Sequence, residues 1–141
     1  MPTCLTEAEL QAYLSEVFPQ ADGDFAIEKL DDMYARVRLL VGDRHLRPGG
    51  TVSGPSIFSL ADCTVYMAVL AMIGKVPLAV TTGGSIDFMR KPRDNADLIA
   101  ECHLLKLGRS LAVGDVRVRS DGAQAVVARA TFTYSIPPKR G

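Results

Sequence analysis

The sequence predicts an α+β domain in which an antiparallel sheet of about six strands wraps around one long buried helix, with an extra helix at the N-terminus. Residues 55–73 form an apolar run without a helix breaker, and the segments on either side alternate between apolar and polar residues. A helix that is apolar on nearly all sides has to be covered. Only the predicted strands can cover it, and 141 residues suffice for one domain over 1–141.

The N-terminal part of the chain contains the extra helix and two strands. Thr6 and Glu9 form a capping box, an apolar stripe at helical spacing follows, and a proline ends the helix, which we place at residues 6–18. Residues 25–30 and 34–41 are predicted to be short strands joined by a turn.

Four further strands follow the long helix, and the loops between them are short. Alternation is clearest in VRVRS and ATFTYS, which indicates strands with one wet and one buried face. Short loops favour antiparallel neighbours. We place these strands within residues 78–91, 96–108, 110–120 and 123–136, and we assign residues 137–141, which begin with two prolines, to a tail.

The long helix contains one charged residue. Proline is well tolerated at the first helical position, so we start the helix at Pro55, and Gly74 is placed to cap its C-terminus. Asp62 then lies about two turns inside a buried helix, where an unpaired carboxylate is costly. A carboxylate placed there despite this cost is our candidate for chemistry.

The same helix has the length of a membrane-spanning segment, which is about 20 residues. A carboxylate near its middle argues against insertion, and the flanking strands offer protein in which to bury it. Residues 1–20 are polar and acidic, without the apolar centre of a signal peptide. We therefore expect no contact with a membrane.

Composition excludes several classes of function. Acidic and basic residues balance at 16 each, so no net field favours nucleic acid. The three cysteines, Cys4, Cys63 and Cys102, are odd in number and lack metal-ligand spacing. They are typical of a reducing compartment rather than of a disulfide scaffold, so we expect a cytoplasmic protein without a metal site.

Two motifs stand at the start of the long helix and on the strand after it. The first runs from Arg47 to Pro55 and continues, after a short spacer, with Leu60-Ala61-Asp62; the second runs from Ser85 to Arg90, with Pro92 following. They resemble N-P-x-G-T-V-H-G-G…L-A-D and T-I-D-F-L-R-P of the hotdog-fold acyl-CoA thioesterases, in the phenylacetyl-CoA-thioesterase-like branch. The resemblance covers residues 25–136 and implies the hotdog fold.

The resemblance also implies which residues form the site. In this family the helix carboxylate is the nucleophile or the base for water, which corresponds to Asp62. The backbone N–H of the first glycine after the motif histidine polarises the thioester carbonyl, which corresponds to Gly54. A second subunit completes the pocket, often with a hydroxyl from the strand after the helix, where Thr81 and Thr82 lie. The family pairs two sheets edge to edge, so we expect a homodimer or homotetramer with sites at the interface.

Three positions depart from the family pattern: the motif histidine is Ser53, the second glycine is Pro55 and the motif asparagine is Arg47. Gly54 keeps its N–H, whereas Pro55 has none to offer. Ser53 is either a helix N-cap, which we favour, or a hydroxyl that helps to hold the oxyanion.

Other residues complete the predicted substrate site. Tyr66, one turn after Asp62, belongs either to the core or to the lining of an acyl pocket. Several basic residues could neutralise the phosphates of coenzyme A, and we select Arg90 and Arg109. Coenzyme A enters as part of the substrate, and no cofactor is expected.

These interpretations predict an acyl-CoA thioesterase that hydrolyses a small aryl- or a short- to medium-chain acyl-CoA to the free acid and CoA. Two alternatives stay open. A hydroxyacyl dehydratase or hydratase on the same fold needs a histidine near the helix acid, and His45, Pro48-Gly49 and Asp62 occur in that order. A non-catalytic acyl-CoA-binding protein fits the loss of the motif histidine. The identity of the acyl group, and of its carrier as CoA or acyl carrier protein, stays open.

Overall fold

The computed structural model describes residues 2–138, and within them the chain forms two α-helices, two single turns of 3-10 helix and six β-strands. Residues 139–141 of the predicted tail lie outside the described residues. The helices are α1 (Glu7–Val17) and α2 (Gly54–Ile73), and the 3-10 turns are Pro19–Ala21 and Asp43–His45. The strands are β1 (Phe25–Asp31), β2 (Tyr34–Leu39), β3 (Val80–Phe88), β4 (Leu98–Leu107), β5 (Leu111–Ser120) and β6 (Val126–Ser135).

Both helices begin with side-chain caps that the sequence encodes. The Thr6 hydroxyl accepts from the Glu9 N–H at 3.2 Å, and the Glu9 carboxylate accepts from the Thr6 N–H at 3.0 Å, which is the predicted capping box. Ser53 caps α2, so this helix begins at Gly54, one residue before the predicted start at Pro55. At its other end, the N–H of Gly74 donates to the Leu70 carbonyl at 2.8 Å.

The six strands form one antiparallel sheet in the order β1-β2-β4-β5-β6-β3. A flat sheet of six strands is about 25 Å wide, whereas a helix with its side chains is about 10 to 12 Å across. Nevertheless α2 contacts all six strands. The sheet therefore curls around α2, which confirms the predicted hotdog architecture.

The length and composition of α2 would suit a membrane span, but twelve of its twenty residues are buried inside the domain. Leu60, Val65 and Leu70, for example, have no exposed surface and form the centre of the core. This helix is the core helix of the fold, which was the preferred interpretation of its sequence.

Candidate active site

Asp62 lies on α2, facing β3 and β6, and its side chain is half-buried. Its Oδ1 atom accepts a hydrogen bond from the Thr81 hydroxyl at 2.6 Å and another from the Tyr134 hydroxyl at 2.9 Å. The Tyr134 hydroxyl also lies 3.0 Å from the backbone carbonyl of Asp62. The carboxylate is thus held by hydroxyl groups and not by a basic residue.

A β-bulge at Thr82 aims the Thr81 hydroxyl at Asp62. Thr81 pairs with Tyr134, and Gly83 pairs with Thr133, so Thr82 is the extra residue on β3. Directly opposed residues of neighbouring strands have side chains on the same face, which is why Thr81 and Tyr134 both reach Asp62. Thr82 instead makes a long hydrogen bond of 3.4 Å to the Thr133 carbonyl. Of the two predicted threonines, only Thr81 contacts the carboxylate within its own chain.

Tyr134 is a residue of this site that the sequence-based interpretation missed. It is 4% exposed, and both its burial and the neighbouring Asp62 raise the pKa of its hydroxyl, which remains a proton donor at neutral pH. The alternation in ATFTYS puts it on the buried face together with Phe132. A buried tyrosine usually finds a partner for its hydroxyl, so this pattern was the available signal.

The N-terminus of α2 is formed by Ser53, Gly54 and Pro55. The Ser53 hydroxyl accepts from the Ser56 N–H at 3.2 Å and donates to the Ser56 hydroxyl at 2.9 Å, as an N-cap does. The first N–H groups of a helix have no partner within the helix and carry its positive dipole end. The ring of Phe88 lies against Gly54, where an added Cβ would be 3.5 Å from the ring.

His45 ties down the loop that leads into α2. The residue is 5% exposed; Nδ1 accepts from the Gly42 N–H at 2.8 Å, and Nε2 lies 3.1 Å from the Asp24 carboxylate. The His45 carbonyl in turn accepts from the Ser53 N–H at 2.8 Å. Both ring nitrogens are therefore engaged in fixing the loop.

On the side of α2 that faces α1 lies a narrow, mainly apolar cleft that has room for about one water molecule. Tyr66 lines it, together with Cys63, Met67 and residues of α1 and β1. The Tyr66 ring centroid is 6.0 Å from that of Tyr134, and its hydroxyl donates to the Pro77 carbonyl at 3.2 Å. Tyr66 is thus both a core residue and a wall of this cleft.

The two selected arginines do not come together within one chain. Arg90 follows β3 and donates to the Val126 carbonyl, at the first residue of β6. Arg109 precedes Ser110, whose carbonyl accepts from Ile136, just past the last residue of β6. A ten-residue strand is about 30 Å long. Arg90 therefore lies at the Gly54 end of the site and Arg109 at the Asp62 end.

Comparison with known proteins gives a consistent result. Residues 49–134 match a family model described as "Thioesterase superfamily". A crystal structure of a "putative thioesterase" from Silicibacter sp. TM1040 is 56% identical, with 98% of this chain and 96% of that one covered and a TM-score of 0.92.

Two further solved structures are 27% identical to this chain. One is a mutant of the phenylacetic acid degradation protein PaaI from Thermus thermophilus, with 84% of this chain and 99% of that one covered and a TM-score of 0.73. The other is a Streptococcus mutans protein bound to acetyl CoA, with 83% and 91% covered and a TM-score of 0.71.

Proposed function

Because this chain belongs to the thioesterase superfamily, as its motifs predicted, we propose that it hydrolyses acyl-CoA thioesters to the free acid and CoA. The observation that carries the proposal is the Asp62 carboxylate, which two hydroxyl groups hold in place on the core helix. Thioester hydrolysis needs a base or nucleophile, and a donor where the oxyanion develops. Asp62 supplies the first and the Gly54 N–H the second.

In this mechanism the thioester carbonyl oxygen accepts from the Gly54 N–H, which polarises the carbonyl. Asp62 either takes a proton from the attacking water or attacks the carbonyl carbon itself, forming an anhydride that water then hydrolyses. In both routes the C–S bond breaks and CoA leaves as the thiolate. Ser53 caps the helix and keeps the Gly54 N–H at its exposed end.

One chain cannot bring both groups to the same carbonyl. Asp62 lies eight positions after Gly54 on α2, which is about 12 Å of helix, whereas each group has to come within about 3 Å of the reacting atoms. We therefore propose that a site combines Gly54 of one subunit with Asp62 of the partner subunit.

The open edge of the sheet supports this assembly. Eight of the nine residues of β3 are exposed, and large apolar side chains lie on or beside this strand, including Leu78 at 72% exposed, Val80 at 52%, Phe88 at 53% and Met89 at 57%. An exposed apolar edge strand is a surface for pairing with another chain. A second copy pairing along β3 would cover it and bring two sites together.

The proposed dimer also indicates where the parts of the substrate would bind. The acyl group would enter at the mainly apolar cleft lined by Tyr66, which has to widen to admit it. Arg90 lies at the Gly54 end of one chain and Arg109 at the Asp62 end of the other, so both flank the combined site. Thr82 lies on the exposed edge of β3, from which it would contact the partner subunit.

One observation weighs against the dehydratase alternative. Abstraction of an α-proton needs a histidine with a free ring nitrogen, and both ring nitrogens of His45 are engaged, by Gly42 and Asp24. Against the binding-protein alternative stands Asp62 itself, because a half-buried carboxylate aligned by two donors is not needed to bind an apolar acyl group.

The test is subunit complementation. Asp62→Asn removes the base and should lower kcat by about 100- to 10,000-fold. Gly54→Pro removes the N–H, adds a ring in contact with Phe88, and should cost about 100- to 1,000-fold. Proline fits there because Ser53 has φ −72° and ψ 152°, the conformation favoured before proline. Release of free thiol from a panel of aryl and straight-chain acyl-CoAs gives the rates.

Heterodimers of the two single variants, isolated through two affinity tags, should regain about half of the parent activity, because one of two equivalent sites is intact. Heterodimers of the parent with the Asp62→Asn, Gly54→Pro double variant should stay inactive. The reverse result would mean that each chain carries its own complete site. A parent protein that binds acyl-CoA without releasing thiol would support the binding-protein alternative instead.

A further inference from the structure

We infer that Tyr134 is a positioning residue, which holds one oxygen of Asp62 so that the other oxygen faces the reacting thioester or water. This inference rests on the proposed function of Asp62. Its basis is that two hydroxyl donors, from Thr81 and Tyr134, converge on Oδ1. The second oxygen, Oδ2, accepts no hydrogen bond from the described residues.

Two donors on one oxygen fix the rotation of the carboxylate. Hydrogen bonds to an ionised acceptor are stronger than those between neutral groups. Rotation of the Asp62 side chain would move Oδ1 away from both hydroxyls and lose both of these bonds at once. Oδ2 is consequently the oxygen that takes the proton from water or attacks the carbonyl.

Tyr134 is itself held firmly enough to act as this anchor. Its ring is buried against Tyr66, and its backbone pairs with Thr81 on one side and with Ala112 on the other. Since burial and the Asp62 charge raise the pKa of the Tyr134 hydroxyl, it donates throughout the neutral range. It therefore orients the base without exchanging a proton with the substrate.

A purely structural role is the competing explanation. The Tyr134 hydroxyl also lies 3.0 Å from the Asp62 backbone carbonyl, and this acceptor alone would satisfy a buried hydroxyl. On that explanation the contact with the carboxylate is incidental, and its loss affects stability only. The two roles differ in what happens to catalysis in the folded enzyme.

Tyr134→Phe removes the hydroxyl and keeps the ring. We expect kcat to fall by about 10- to 100-fold, as for a misplaced catalytic group, while KM stays within a few-fold of the parent. Tyr34→Phe is the matched control, since Tyr34 donates to the Glu101 carboxylate at 2.5 Å on the outer face of the sheet.

A double-mutant cycle separates positioning from stability. In an Asp62→Asn background, Tyr134→Phe should change the residual rate by less than about two-fold, because a residue that acts through Asp62 has nothing left to position. A parent-like kcat in Tyr134→Phe, or an equal loss in both backgrounds, would overturn the inference while leaving the role of Asp62 intact. A fully active Asp62→Asn variant would instead remove the proposed function and this inference together.

Discussion

The two edge strands of the sheet, β1 and β3, differ in whether other parts of the chain cover their outer edges. The β1 edge is closed by α1: Gln11 donates to the Phe25 carbonyl at 3.1 Å and accepts from the Ile27 N–H at 2.9 Å, and the Glu7 carboxylate accepts from the Leu30 N–H at 3.1 Å. At the β3 edge no strand or helix of the described residues pairs with the outer side.

This difference coincides with the position of the proposed site. The β1 edge is closed by side-chain hydrogen bonds, as proteins commonly do to prevent pairing with other chains. The β3 edge is open and apolar, and it is also the edge that presents Thr81 to Asp62 and Phe88 to Gly54. The closed β1 edge is protected from pairing, whereas the open β3 edge is the one that we propose for assembly and catalysis.

The largest effect should come from a charge on the open edge. Val80→Asp would bury an unpaired carboxylate in the proposed interface, which costs several kcal/mol and should weaken self-association on the order of 1,000-fold. Activity should fall with the dimer fraction. Light scattering and thiol release, each measured over a range of protein concentrations, check this prediction.

Leu40→Asp is the matched control for Val80→Asp. Leu40 is also apolar and exposed, at 40%, but it follows β2 on the closed side of the sheet. We expect this variant to assemble and react like the parent. Dissociation of Leu40→Asp, or normal assembly of Val80→Asp, would show that β3 is not the interface.

Much of the fold and part of the candidate site could be predicted from the sequence, because these features depend on local patterns. The capping box at Thr6 and Glu9, the apolar run of α2 and the alternation of the strands are all short-range signals, and Asp62 stood out as the only charge in its helix. The family resemblance then pointed to Gly54, and to Thr81 and Thr82 without distinguishing between them.

The features that could not be predicted depend on contacts between residues that are far apart in the sequence. Alternation assigns Tyr134 to a buried face but does not reveal that β6 pairs with β3, and so it could not place this residue at Asp62. Arg90 and Arg109 are separated because they lie near opposite ends of β6. The bulge at Thr82 has no sequence signal of its own, because threonine is an ordinary strand residue.

A smaller effect should come from the inner face of β3. A Cβ added at Gly84 would lie 2.2 Å from Cδ1 of Phe132, a ring that has no exposed surface and is packed edge-to-face against Phe58. Gly84→Ala should therefore destabilise the fold by about 1 to 3 kcal/mol, as overpacking does. Gly83→Ala has nothing within 4 Å of the new Cβ and should be close to neutral. Urea unfolding gives the free energy of unfolding of the two variants. Equal values would mean that β3 can move away from Phe132 to accommodate the added methyl group.

The smallest effect should appear at the closed edge, where it should depend on pH. Hydrogen bonds from the Leu30 N–H and from its own N–H lower the pKa of Glu7 below its ordinary value of 4.5. The folded state keeps this carboxyl ionised to a lower pH than the unfolded state does. Its contribution to the free energy of unfolding is therefore complete above pH 4.5 and is lost as the pH falls through the lower pKa of the folded state.

Glu7→Gln should thus be less stable than the parent at neutral pH by only a few tenths of a kcal/mol, because the group is largely solvated and an amide oxygen can still accept from Leu30. Urea unfolding at neutral pH and well below 4.5 should show the difference disappearing in acid. If the difference in free energy of unfolding between Glu7→Gln and the parent were the same at both pH values, the charge of Glu7 would not contribute to stability at the β1 edge.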